Sequence, residues 1–144
     1  MKRLSFIIAI LAIFSSTVTP TQFRGTGKLT CKLPVRWCVY VRLVEKNFFP
    51  FSIDDTVGTF GARCFNGPST EGYVLEGSQH GDLFDSNYTI QMIFGHNCSF
   101  HGIIRKFMSK EKTVSIELPT YNFQSNYDLS DKGGLGQPAN DFFN

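Results

Sequence analysis

Between residues 36 and 46 an apolar side chain falls at every second position. Trp37, Val39, Val41 and Leu43 share one face, and Cys38, Tyr40, Arg42 and Val44 share the other. A period of two in β-branched and aromatic residues is what a half-buried strand requires. A helix would instead bring apolar residues back every three to four positions. The pattern recurs from 88 to 95, where Tyr88, Ile90, Met92 and Phe94 oppose Thr89, Gln91 and Ile93. Shorter candidates lie at 24–32, with Gly25 and Gly27 ahead of Leu29 and Cys31, and at 56–65 and 72–77. Two more at 103–108 and 113–118 are separated by Ser109-Lys110-Glu111-Lys112. Gly, Pro, Asn and Asp punctuate these runs and no long helical period interrupts them, so the chain reads as all-β, a sandwich of seven or eight strands. Residues 99–106 leave room for one short helix.

A sandwich needs a core and an address. The 144 residues suit a single domain, and fifteen Phe, five Tyr and one Trp are ample to fill it. Met1-Lys2-Arg3, an apolar run to Phe14 and small residues from Ser15 to Thr19 have the order of a cleavable secretory signal. The apolar run is about half the ~20 residues of a membrane span. Residues 1–19 are therefore expected to be a signal peptide, 20–126 the folded domain and 127–144 a flexible tail rich in Gly and polar residues. Loss of Lys2 and Arg3 with the leader leaves twelve basic against twelve acidic side chains. A neutral domain lacks the basic surface that nucleic acid demands, and with no second long apolar run it is not expected to span a membrane.

Cys31, Cys38, Cys64 and Cys98 all follow the leader, and an even count in a short secreted chain reads as two disulfides, for which three connectivities exist. His96-Asn97-Cys98-Ser99-Phe100-His101 gathers two imidazoles and a sulfur, but an extracellular Cys is expected to be oxidised and no CxxC pair is present, so no metal is expected. Asn87-Tyr88-Thr89 and Asn97-Cys98-Ser99 are glycosylation sequons, the first following a turn-like Asp85-Ser86.

Taken in order, several spaced elements resemble a known family. They are Gly27-x-Leu29-x-Cys31, Val39-x-Val41-x-Leu43-x-Glu45, the Asp54-Asp55 loop and Gly72-Tyr73-Val74-Leu75-Glu76-Gly77. The strand at 88–94 then runs into His96-Asn97-Cys98, and Ile116-x-Leu118-Pro119 closes the series. Over about residues 22–124 the chain resembles the transthyretin-like family of secreted nematode proteins. It departs from that pattern at Phe48-Phe49-Pro50-Phe51 and in carrying Cys38 and Cys64, as a divergent member would. The resemblance implies a transthyretin-like (immunoglobulin-like, prealbumin-type) two-sheet β-sandwich. It also implies a pairing, because Cys31 and Cys98 occupy the family's positions and leave Cys38 for Cys64.

For function, the resemblance extends to a fold that hosts a hydrolase with a His and Arg cluster and a Tyr-Arg-Gly-Ser ending. This chain ends Asp141-Phe142-Phe143-Asn144 and carries its three histidines in its second half. No GxSxG motif or free thiol offers a nucleophile, and Asp54-Asp55 reads as a turn. The expectation is a protein without catalytic residues or cofactor. Asn47-Phe48-Phe49-Pro50-Phe51-Ser52 places three phenylalanines around a proline past the end of a strand. Aromatics on a loop have the character of a partner anchor, which makes Phe48, Phe49 and Phe51 the candidate binding residues. The expected role is extracellular recognition of a cell-surface protein or lipid. The alternative is a carrier of a small hydrophobic ligand in extracellular fluid.

Overall fold

The computed structural model describes residues 19–47, 53–81 and 86–136. Eleven strands run in order: β1 Thr21–Cys31, β2 Arg36–Glu45, β3 Asp55–Thr59, β4 Arg63–Asn66, β5 Ser69–Gln79, β6 Asn87–His96, β7 Arg105–Met108, β8 Lys112–Ser115, β9 Thr120–Gln124, β10 Tyr127–Asp128 and β11 Gly134–Leu135. A single 3-10 turn, Phe100–Gly102, stands where the sequence allowed a short helix. Several of these strands are broken halves of one line. β3 and β4 both pair with β2, β7 and β8 both pair with β6, and β9 and β10 both run parallel to β1. Read as continuous lines they number eight, in keeping with the sequence expectation.

Two layers result. One holds β9/β10, β1 and β5, and the other holds β3/β4, β2, β6, β7/β8 and β11. The layers meet at a corner where β3 touches β5 at the pair Gly58 and Gly77. A Cβ on Gly77 would lie 1.8 Å from the Val57 carbonyl oxygen, and one on Gly58 would lie 2.4 Å from that of Glu76. Only glycine lets two backbones come this close. Between the layers, Phe23, Leu29, Tyr73 and Leu75 face Trp37, Val39, Val41, Leu43, Tyr88, Ile90, Met92 and Phe94, all buried. The alternating faces of 36–46 and 88–95 are thus the inner faces of the second layer. Phe23 meets Tyr88 edge-on at 5.3 Å. Burial pushes the Tyr73 hydroxyl pKa up, so it stays protonated, and it donates to the Ser125 carbonyl at 3.0 Å.

Disulfides join Cys31 to Cys98 and Cys38 to Cys64, the pairs that the resemblance implies. The first is buried and ties the end of β1 to the segment after β6. The second links residues directly opposite on β2 and β4, with Cys64 exposed on the outer face. The chain separations of 67 and 26 residues correspond to stabilisations of about 4 and 3 kcal/mol in the chain-entropy account.

The expectation of a flexible tail from 127 onwards is corrected over residues 127–136. Leu129 is fully buried, and β10 and β11 add to opposite layers. The segment crosses one end of the sandwich as a strap. Leu129 N–H donates to Thr30, Asp131 N–H to Cys98 and Gly136 N–H to Ile104. A strap held by scattered backbone bonds, the ion pairs of Asp128 and Asp131 and the side chains of Tyr127 and Leu129 is too short for a sequence to show a period.

Candidate functional site

The strand directions give the sandwich two unlike ends. Cys31, His96 and Cys98 lie at the strapped end. Thr21, Glu45, Gln79 and Tyr88 lie at the other, because Thr21 pairs with Gln79 and Glu45 with Ile90. The candidate recognition loop leaves β2 from this second end. Phe48, Phe49 and Phe51 themselves lie outside the described residues, but the neck from which they spring is well defined. Lys46 pairs with Asp54 across it. The Asn47 amide donates to the Ile53 carbonyl at 2.9 Å and to the Asp55 carboxylate at 3.3 Å. Below the neck Lys46 N–H donates to the Thr89 carbonyl, continuing the β2–β6 ladder.

Asp54 and Asp55 are therefore neck residues, each with a partner from 46 or 47. Under the neck, Glu45 is buried with one oxygen accepting from the Gln79 amide at 2.7 Å, and Tyr88 donates to the Gln79 carbonyl at 3.0 Å. These bonds fix the platform beneath the loop. On its rim Ile53 is 88% exposed, more than any other large apolar residue among those described.

The strapped end contains a polar cluster that the sequence reading passed over. His96 has no exposed surface, and its Nε2 lies 3.1 Å from the Lys132 carbonyl. A carbonyl only accepts, so Nε2 carries the proton and Nδ1 is bare, without a partner among the described residues. Burial lowers the His96 pKa to about 4. The bond to Lys132 and the charge of Asp131 act against that shift, and Arg105 acts with it. Arg105 pairs with Asp131 at 2.8 Å and donates to the Gly133 carbonyl at 3.1 Å. One signal for His96 was present in the sequence: the alternation Tyr88, Ile90, Met92, Phe94 continues to position 96 and puts the imidazole on the core face.

The residues of the candidate metal cluster are not brought together. Cys98 is in a disulfide, His96 faces the core and His101 is exposed in the 3-10 turn. No group of three or more His, Cys, Asp or Glu side chains suited to a metal occurs among the described residues. His80 is exposed. The two sequons differ: Asn87 is exposed at the start of β6, whereas Asn97 is half-buried and its Oδ1 accepts the Cys38 N–H at 2.6 Å.

A small cleft opens between the layers where β7 breaks into β8. Leu43, Ile90, Met92, Phe123 and Tyr127 wall it, Lys110 and Lys112 stand at its rim, and its cavity volume is about 10 Å³. That is room for no more than a water, far below the about 300–1,000 Å³ of a ligand pocket. No helix among the described residues is long and apolar enough to cross a membrane.

Fold and site together define a disulfide-clasped all-β sandwich that presents a loop from a hydrogen-bonded neck. The chain belongs to the family described as Caenorhabditis elegans protein of unknown function (DUF870), which matches residues 26–135. It is also 37% identical over 79 residues to the uncharacterized protein B0416.7 of Caenorhabditis elegans, a match covering 54% of this chain and 56% of that protein. The matched stretch is thus little more than half of that relative's length.

Proposed function

We propose that the protein is a secreted, non-enzymatic recognition protein of transthyretin-like architecture that binds an extracellular or cell-surface protein or lipid through the loop at 48–53. The observation that carries this reading is the neck. An isoleucine left 88% exposed, close in sequence to three phenylalanines and on a base held by Lys46–Asp54 and Asn47–Ile53, has the character of an anchor with part of its ordering cost already met by folding. The prealbumin-type order, rather than the immunoglobulin one, is supported by β1 pairing with β5 and β9. In an immunoglobulin constant domain the first strand pairs with the second. Secretion is supported by the leader pattern and by two disulfides with no free cysteine.

The test compares the purified secreted protein with a Phe48/Phe49/Phe51→Ser variant for binding to cell surfaces and to phosphatidylserine-containing vesicles. Binding lost from a variant that is still secreted and folded supports the anchor, and undiminished binding refutes it. The carrier reading has the apolar lining of the cleft in its favour, but the space within it admits no more than a water. Its volume makes it the lesser reading.

A further inference from the structure

We infer that Asn87 is the one N-glycosylation site of the folded domain and that Asn97, despite its sequon, is a structural residue. The inference rests on the proposed secretion. A glycan is bulky and must lie in solvent. Asn87 is exposed on the outward-facing side of β6, opposite Ser115 of β8, and among the described residues its amide makes one hydrogen bond, to the neighbouring Ser86 hydroxyl at 3.0 Å. Because Nδ2 carries two N–H groups, one can be replaced by a sugar while the other keeps that bond. β8 is an outer strand that pairs with β6 alone among the described elements. A sugar at Asn87 therefore stands beside an open sheet edge and shields it from pairing with another chain.

At Asn97 the surroundings are the reverse. Its N–H donates to the Cys38 carbonyl at 3.2 Å while its Oδ1 accepts the Cys38 N–H at 2.6 Å. The side chain thus serves as a surrogate backbone carbonyl that prolongs the β2–β6 ladder by one pair. The two residues completing the sequon, Cys98 and Ser99, are fully buried, the cysteine in a disulfide and the serine hydroxyl donating to the Ile103 carbonyl. A sugar on Asn97 would crowd this seat.

The transfer at Asn87 uses a lipid-linked oligosaccharide pyrophosphate as donor. Nδ2 forms a bond to C1 of the first sugar as the bond from C1 to the phosphate oxygen breaks. The amide gives one proton to a base and the lipid pyrophosphate departs, with no change of oxidation state.

The experiment expresses the full chain in a eukaryotic secretory host, once behind its own leader and once with a host signal peptide in place of residues 1–19. Intact mass is read before and after peptide N-glycosidase, with peptide mapping of the wild type. One glycan is expected, mapped to Asn87, absent from Asn87→Gln and kept in Asn97→Gln, whose unfolding midpoint falls. Peptide mapping of the wild type answers the question even if Asn97→Gln does not fold. A sugar at Asn97, or secreted protein without any glycan behind the host leader, would overturn the inference. Glycan at Asn87 behind the host leader alone would support it while counting against secretion by the chain's own leader.

Discussion

Burying His96 neutral makes the protein sensitive to acid in a defined window. In the unfolded chain the imidazole takes a proton near pH 6.5, whereas in the fold it resists until about pH 4. Between those values the unfolded state binds more protons, so stability falls as pH is lowered from 6.5 towards 4. The full loss is about 3 kcal/mol, at 1.36 kcal/mol per pKa unit. Urea unfolding at pH 7 and pH 4.5 should show this fall, and His96→Gln, which cannot titrate, should flatten it. Asp128 contributes in a lower window. The Lys32 ammonium at 2.6 Å holds its carboxylate at about 2, so its contribution is kept above the ordinary carboxylate pKa and is lost as pH falls through about 2. The cystines differ on the same scale. Cys31 and Cys98 have no exposed surface, whereas Cys64 is open to solvent. A small thiol should therefore reduce Cys38–Cys64 first, and stepwise alkylation read by mass spectrometry should label positions 38 and 64 before 31 and 98.

At the scale of elements, the strap is the part most open to test. Leu129 fills the core beneath it, while Tyr127 packs against Phe94 at 4.6 Å and Phe107 at 5.8 Å. Leu129→Ala should cost about 2–5 kcal/mol, as for other buried leucines, measured by chemical denaturation. A free tail would give no change. This contrast also shows what the sequence made legible. β2 and β6 carry a core residue at every second position over ten residues each, so their extent and inner faces were plain. The strap contributes two strands of two residues, with Tyr127 and Leu129 its core-packed side chains among Gly and Asp, too short for any period. The interruption of β7/β8 at residues 109–111 was visible as the polar run Ser109-Lys110-Glu111-Lys112, whose last residue opens β8. What was not visible is that Ser109 bridges the gap, its N–H donating to the Met92 carbonyl and its hydroxyl accepting the Met92 N–H. The candidate recognition loop was legible as a composition, Phe-Phe-Pro-Phe, but its neck was not. The pairings Lys46–Asp54 and Asn47–Asp55 join residues on two sides of a loop, and nothing in the chain marks them as partners.

Over the whole molecule the two ends divide the labour. One is closed by the Cys31–Cys98 disulfide, the Leu129 strap and the Arg105–Asp131 pair. The other carries the neck formed by Lys46, Asn47 and Ile53 to Asp55 beside the hydrogen-bonded Glu45, Gln79 and Tyr88. A sandwich anchored at one end can present a loop at the other without moving its core, which is how recognition domains with this kind of scaffold place their binding segments. The family match over residues 26–135 spans both the clasp and the segment between β2 and β3. In the proposed function the end that carries Ile53 makes the contact. The one native tryptophan, Trp37, has no exposed surface and donates to Ser69 at 3.2 Å, so it gives a constant background against which a second indole can be read. The most direct measurement is the emission of an Ile53→Trp variant titrated with cell membranes and with phosphatidylserine-containing vesicles. The account predicts solvent-exposed emission in the free protein and a blue shift that saturates together with binding. Saturable binding with emission at position 53 unchanged would place the contact elsewhere and contradict it.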